Sequence, residues 1–211
     1  WEDVTYGKKY DLLEKTAGNK IILNNDCLNI GKIHVDKICH EVFGYSSLVD
    51  PLTYTGKCLR KHELNALKDN IEVDCPIEKP EKDYVYQKII NTSSENDLFV
   101  DLRMPILKGC TPFYYHKQKG KERRYKSGAV FVKVCRTNDE FSDEEIEKIN
   151  LTCEKMGLDY GELDILRDHD TKKLYIVDIN NTAFGPPGNL NKKDSKSSIK
   201  KIAKMFNDKF L

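Results

Sequence analysis

The chain has 211 residues, 33% of them charged and 39% hydrophobic, and its formal net charge is +1. That length supports one substantial core or two small lobes of a soluble globular protein, and near-neutrality excludes a chain-wide basic field for nucleic acid or an anionic membrane, so any basic site must be local. No apolar run approaches the roughly 18 residues that span a bilayer, and the 7 Cys (Cys27, Cys39, Cys58, Cys75, Cys110, Cys135, Cys153) are scattered without a CxxC pair, which argues for reduced thiols in a cytoplasmic protein over a zinc site or a disulfide framework.

No signal peptide is expected, and a chain starting at Trp1 is expected to have lost its native beginning. Residues 1–31 are weakly patterned, with Ile21, Ile22 and Leu23 as a short strand candidate. Apolar residues at Ile33, Val35, Ile38, Val42 and Phe43 predict a helix over residues 32–43, stopped by Gly44. His34 and His40 sit on it without a partner at ligand spacing and read as structural or solvated. A strand is expected at 47–49, then a break at Asp50-Pro51. Residues 57–61 form another strand ending in cations, which by itself reads as an edge strand protected by Lys. Residues 76–80 are a loop, and 84–90 a strand of strong β-formers.

Residues 98–107 and 112–116 suggest a hairpin turning at Lys108-Gly109. The most basic stretch, HKQKGKERRYK at 116–126, reads as a solvated loop. Tyr115 and Tyr125 at its ends keep RNA binding in view, against the near-neutral total. A strand at 129–134 precedes a helix opened by Ser142 as N-cap, with Glu145 completing a capping box and Gly157 ending it. Ile199, Ile202, Ala203 and Phe206 recur at helical spacing in a basic closing helix.

Between those helices lies the stretch richest in chemistry. Residues 162–167 and 174–180 flank a polar run and predict a two-strand hairpin. Alternation puts Asp178 and Asn180 on one face of the second strand and Tyr175, Val177 and Ile179 on the other. Pairing Asp168 with Leu174 across the turn sets Asp164 opposite Asp178. Two carboxylates and an amide oxygen then converge, a donor set for a hard cation such as Mg²⁺; ordinary solvent-facing strand residues are the alternative. A loop stiffened by Gly and Pro, residues 181–188, follows directly.

GELDILRD followed by YIVDINNT resembles the carboxyl-terminal metal-binding hairpin of the ATP-grasp superfamily, which includes D-alanine:D-alanine ligase and enzymes that add glutamate to protein tails. The resemblance covers roughly residues 57–188 and implies an α+β fold in which two lobes with antiparallel sheets enclose a nucleotide cleft. Residues 1–83 would supply the amino-terminal part and small lobe, and 84–211 the nucleotide- and metal-binding lobe, with the usual separate substrate domain missing or reduced. ATP and Mg²⁺ are the implied cofactors, the metal held by Asp164, Asp178 and Asn180. By the same resemblance Lys61, and next Lys57, reach the ATP phosphates; Gln87, Lys88 and Ile90 contact adenine; and Glu95 or Asp97 takes the ribose hydroxyls. Asp101-Leu102-Arg103 matches the family's Asp-x-Arg segment, an internal Asp–Arg pair being the alternative. Lys117 and Arg124, with Arg103, are placed to neutralise phosphates or a bound intermediate. Where many members carry a Gly- and Ser-rich phosphate lid, this chain has HELNALKDN at 62–70.

The implied function is an ATP- and Mg²⁺-dependent ligase that joins a carboxylate to an amine through an acylphosphate, with a small-molecule or peptide acceptor and no membrane partner. The alternatives are a kinase that stops at phosphoryl transfer and a non-catalytic nucleotide- or RNA-binding module.

Overall fold

The computed structural model describes residues 5–18, 20–65, 67, 69–125 and 128–211. Segments rich in β-branched and aromatic residues pair into two antiparallel sheets. In the smaller, β1 (Gly56–His62) lies between β2 (Ile71–Cys75) and β3 (Tyr84–Lys88). The larger contains β4 (Phe99–Leu107), β5 (Phe113–Lys119), β6 (Phe131–Arg136), β7 (Tyr160–Arg167) and β8 (Leu174–Asn180), in the order β6-β5-β4-β7-β8. Helices α1 (Asp11–Ala17), α2 (Lys32–Phe43), α3 (Asp143–Lys155) and α4 (Lys192–Phe210) complete the fold.

The two faces of the larger sheet have different fates. Leu102, Met104, Ile106, Leu163, Ile165, Ile176 and Ile179 form one buried face with Ile149 and Cys153 of α3 and Val35 and Ile38 of α2. On the opposite face Phe113, Tyr115 and Val132 are covered by Leu190 and by Ile202 of α4. The part of that face left uncovered by α4 is the floor of a cleft whose other wall is the smaller sheet.

Local chemistry fixes the ends of the two central helices. Ser142 and Glu145 form the expected reciprocal cap: the Glu145 N–H donates to Ser142 Oγ at 3.2 Å and the Ser142 N–H to Glu145 Oε2 at 3.0 Å. Gly44 ends α2 at φ 81 and returns its N–H to His40 O. Gly157, at φ +67, turns the chain from α3 towards β7, and a Cβ there would lie 2.6 Å from the Asp26 carbonyl carbon. Gly157→Ala combines left-handed strain of about 1–2 kcal/mol with that clash, so urea denaturation is expected to show a loss of at least about 2 kcal/mol.

Some elements differ from the sequence expectation. Residues 21–23 lead into a turn at 23–26 rather than forming a strand, and the strand expected at 47–49 is a single bridge between Leu48 and Gln87. α1 and β2 arise in segments where no element was expected. β5 runs on to Lys119, so the first four residues of the expected basic loop are strand; Ala66, Lys68, Lys126 and Ser127 lie outside the described residues. β3, beyond the expected boundary at 83/84, pairs with β1 of the smaller sheet, while α2 packs against β8 and α3.

The hairpin register also differs. Arg167, not Asp168, pairs with Leu174, and a bulge between Ile176 and Asp178 restores Asp164 opposite Asp178. The extra residue is Val177. It reverses the alternation, so Leu174 and Ile176 join Ile179 in the core while Val177 and Asp178 both border the cleft.

Candidate functional site

The cleft has a volume of about 510 Å³ and is lined from both sheets. β1 contributes Lys61, β3 Gln87 and Lys88, and the chain just after β3 Ile90. From the larger sheet come Arg103 on β4, Lys117 on β5, Asp164 on β7 and Asp178 on β8, with Arg124 from the β5–β6 connection. The structure thus brings these expected residues to one cavity. Lys57, Glu95, Asp97 and Asn180 are not among its lining. Lys57 lies at the far end of β1, where it meets Glu72 at 3.8 Å and Asp74 at 3.7 Å across β2. Glu95 and Asp97 are exposed on a short turn. Asn180 Oδ1 accepts from the Thr182 N–H at 2.9 Å and from Thr182 Oγ1 at 3.1 Å.

The centre of the site follows from strand register. Arg103, Asp164 and Asp178 are directly aligned across β4, β7 and β8. Arg103 grips Asp164 with both arms of its guanidinium, Nε to Oδ1 at 2.9 Å and Nη2 to Oδ2 at 3.1 Å, while Nη1 reaches Glu162 Oε2 at 3.4 Å. Lys117 Nζ stands 3.6 Å from Asp164 Oδ1, and Lys119 pairs with Asp101. Burial works against an ionised Asp164, but Lys117 and Arg103 outweigh it and hold the carboxyl well below the usual range. Asp178 has the opposite fate: burial, then the charge of Asp164, pushes its carboxyl up. Its Oδ1 is out of solvent contact and has no hydrogen-bond partner among the described residues.

At the other end, Ile90 O accepts from Arg124 Nη2 at 3.1 Å, and the Arg124 guanidinium lies 4.2 Å from the Phe99 ring centroid. Tyr125 OH donates to Glu72 Oε1 at 2.8 Å, and Asn70 Nδ2 donates to Tyr125 O at 3.0 Å, so this connection roofs the cleft from one sheet to the other. Lys88 extends over the Tyr175 ring at 4.5 Å. Sequence reasoning passed over Glu162, Lys119 and Lys32. The first two were legible: Glu162 precedes Asp164, and Lys119 follows Lys117, by one strand repeat on the same face.

In overall structure the chain is similar to the ATP-grasp ligase PsnB complexed with a minimal precursor, with TM-score 0.58 and 16% identity over 92% of this chain and 68% of that one. It is similar to PsnB complexed with precursor peptide PsnA2 and AMPPNP, with TM-score 0.57 and 16% identity over 82% of this chain and 57% of that one. D-alanine–D-alanine ligase from Bacillus anthracis complexed with ATP gives TM-score 0.59 and 15% identity over 98% of this chain and 75% of that one. The chain has the ATP-grasp fold. No family model matches it, and no curated protein sequence does.

An ATP-grasp fold implies a nucleotide and Mg²⁺, and the donor set here is compatible with both. Among the described residues no group of three or more His, Cys, Asp or Glu gathers as a complete metal cage. Mg²⁺ needs none, because it is commonly held by one or two carboxylates together with substrate phosphates and water. The unpartnered Asp178 Oδ1, facing Asp164, is the acceptor such a cation fits. Cationic side chains in the same cavity suit phosphate oxygens. Among the described residues no helix is long and apolar enough to cross a membrane.

Proposed function

We propose that this chain binds ATP with Mg²⁺ between its two sheets and acts as a ligase that joins a carboxylate to an amine through an acylphosphate, in the cytoplasm. The observation that carries this reading is Asp178 Oδ1, a buried oxygen without a hydrogen-bond partner among the described residues, on a residue opposed to Asp164 and lining the same cleft as Lys61, Arg103 and Lys117 in an ATP-grasp fold. When bound, Mg²⁺ would supply positive charge to offset that on the transferred phosphoryl group. Asp178 and Asp164 would hold it, with Asn180 able to join if it releases Thr182. Arg103 and Lys117 orient Asp164 and offer donors to an oxygen leaving or entering the phosphoryl group. Lys61, Gln87, Lys88 and Ile90 line the cleft; on this reading Lys61 would face the phosphates, and Gln87, Lys88 and Ile90 would border the base. The acceptor is a small molecule or a peptide; both kinds of ligase share the fold, and the chain spans 57% to 75% of the compared chains.

Thermal stabilisation tests nucleotide binding. Mg·ATP at about 100 times its Kd is expected to add about 2.7 kcal/mol, and no shift with any nucleotide overturns the reading. ADP release that requires both an acid and an amine selects the ligase; release with the acid alone selects a kinase.

Lys61 gives the binding a pH signature. Burial lowers its ammonium to about 8, with Lys32 adding to the effect and Asp178, Asp101 and Asp164 opposing it. Phosphate favours the protonated form, so binding takes up a proton above that value. Affinity for Mg·ATP is expected to be level below pH 8 and to fall above it by up to about tenfold per pH unit. Calorimetry across this range should show the fall in the native chain and lose it in Lys61→Met.

A further inference from the structure

The closing helix carries a charge pattern that the cleft does not use. Lys193, Lys196, Lys200 and Lys204 recur at helical spacing on α4, all exposed, on the side away from buried Ser198 and half-buried Ile202, Met205 and Phe206. None of them forms an ion pair among the described residues, whereas lysines elsewhere, such as Lys148 with Glu144, do. Lys196, Lys200 and Lys204 are one turn apart, where like charges repel and weaken a helix. The acid nearest the stripe's start, Asp194, is occupied in capping by Asn191. Asp208, one turn beyond Lys204, is the only other acid on the helix and forms no ion pair with it, so a chain of net charge +1 concentrates positive charge on one helix.

The stripe has a direction. Pro187, Gly188 and Asn189 line the cleft, and Asn191 caps α4, so the lysines begin beside the cleft and run outward for about 16 Å at 1.5 Å per residue. Lysines one turn apart repeat at about 5–6 Å, close to the spacing of about 7 Å between alternate side chains of an extended polypeptide. Ile202 of α4 is packed on the sheet, and Ile199 is the one large apolar side chain of the helix that stands exposed, too small an apolar face to insert into a bilayer. No aromatic residue stands in the stripe to stack a base.

We propose that the exposed face of α4 docks an extended acidic polypeptide. The attraction is between ammonium and carboxylate groups and does not depend on nucleotide. The test is fluorescence anisotropy of the full chain, without nucleotide, against a labelled oligoglutamate of about eight residues, long enough to span the stripe. Binding is expected to weaken with salt, and the triple variant Lys196→Gln, Lys200→Gln, Lys204→Gln is expected to lose about tenfold in affinity. That variant removes only exposed, mutually repelling charges, so its melting temperature should be unchanged or higher. A charge-matched control, Lys8→Gln, Lys20→Gln, Lys82→Gln, should bind as the native chain does. Equal losses in both triple variants overturn the proposal. So does tighter binding of a single-stranded RNA or of anionic vesicles carrying the same charge.

Discussion

Asp178→Asn is expected to abolish stabilisation by Mg·ATP and, in the same protein, to raise the melting temperature of the free chain. The two effects share a cause. Asp178 Oδ1 is removed from solvent without a hydrogen bond, and Asp164 lies directly opposite across the hairpin. Asp164 is neutralised by Arg103 and Lys117, but Asp178 forms no ion pair with either. An unpartnered buried oxygen costs about 1–3 kcal/mol, and more when charged. The amide keeps the shape and removes the charge, so a gain of about 1 kcal/mol is expected, or roughly 2–4 °C at this chain length. The lost carboxylate is also the open cation acceptor, so adding Mg·ATP should no longer shift the curve. Differential scanning fluorimetry with and without Mg·ATP reads both effects; a lower intrinsic melting temperature together with an intact Mg·ATP shift would sink this account of the site.

Such opposition of stability and binding explains why parts of the site were readable in the sequence. A polar residue repeated on a strand face beside a stiff loop breaks the rule that strands bury apolar groups, and Asp164, Asp178 and the Pro-Gly loop stood out for that reason. The α2 and α3 ends were readable because Gly44 and the Ser142–Glu145 pair act through neighbours in sequence. β2 was not. Its residues IEVDC do alternate apolar and polar, but the run is only five residues long and follows directly on the polar stretch HELNALKDN, so its strand form depends on pairing with β1, which sequence spacing does not encode. The bulge at Val177 was hidden in the same way: Leu174 to Val177 is an unbroken run of apolar and aromatic residues, so nothing in it marks where alternation changes phase. Asp164 and Asp178 were matched through a register that slips by one residue and then recovers.

Position along a strand also limited what residue type could say. Lys57 and Lys61 have the same parity on β1, yet one faces Glu72 and Asp74 on β2 and the other lines the cleft. The basic stretch after Tyr115 divides similarly. Lys117 and Lys119 are strand residues turned inward against Asp164 and Asp101, which removes them from any external surface for RNA. Arg124 belongs to the roof, where it holds Ile90 O. A charge run read as one solvated loop is therefore at least two structural units with different partners.

The largest effect is expected from Arg103→Met. Its guanidinium is the shared counter-charge of Asp164, held at 2.9 Å and 3.1 Å, and of Glu162 at 3.4 Å. Removing one partner of such a buried set costs about 3–5 kcal/mol, because the charges left behind lose compensation while remaining desolvated. Lys117, 3.6 Å from Asp164, relieves part of this, which places the expected loss near 3 kcal/mol by urea denaturation. Glu162 sets its pH dependence. Burial already pushes that carboxyl up to about 6 against the pull of Arg103; without Arg103 it should rise further. A carboxyl raised in the folded state costs stability at pH values above its ordinary range and ceases to do so once protonated. The deficit of Arg103→Met should therefore be greatest above the further-raised value of Glu162, shrink as the pH falls towards 6, and level off below that, where Glu162 is protonated in both proteins. In an Asp164→Asn background the same substitution should cost at least about 1 kcal/mol less, because one of the two orphaned charges is gone. A loss that is independent of pH and additive with Asp164→Asn would mean that Arg103 acts by packing alone, and that the row from Arg103 through Asp164 to Asp178 is not an electrostatic unit.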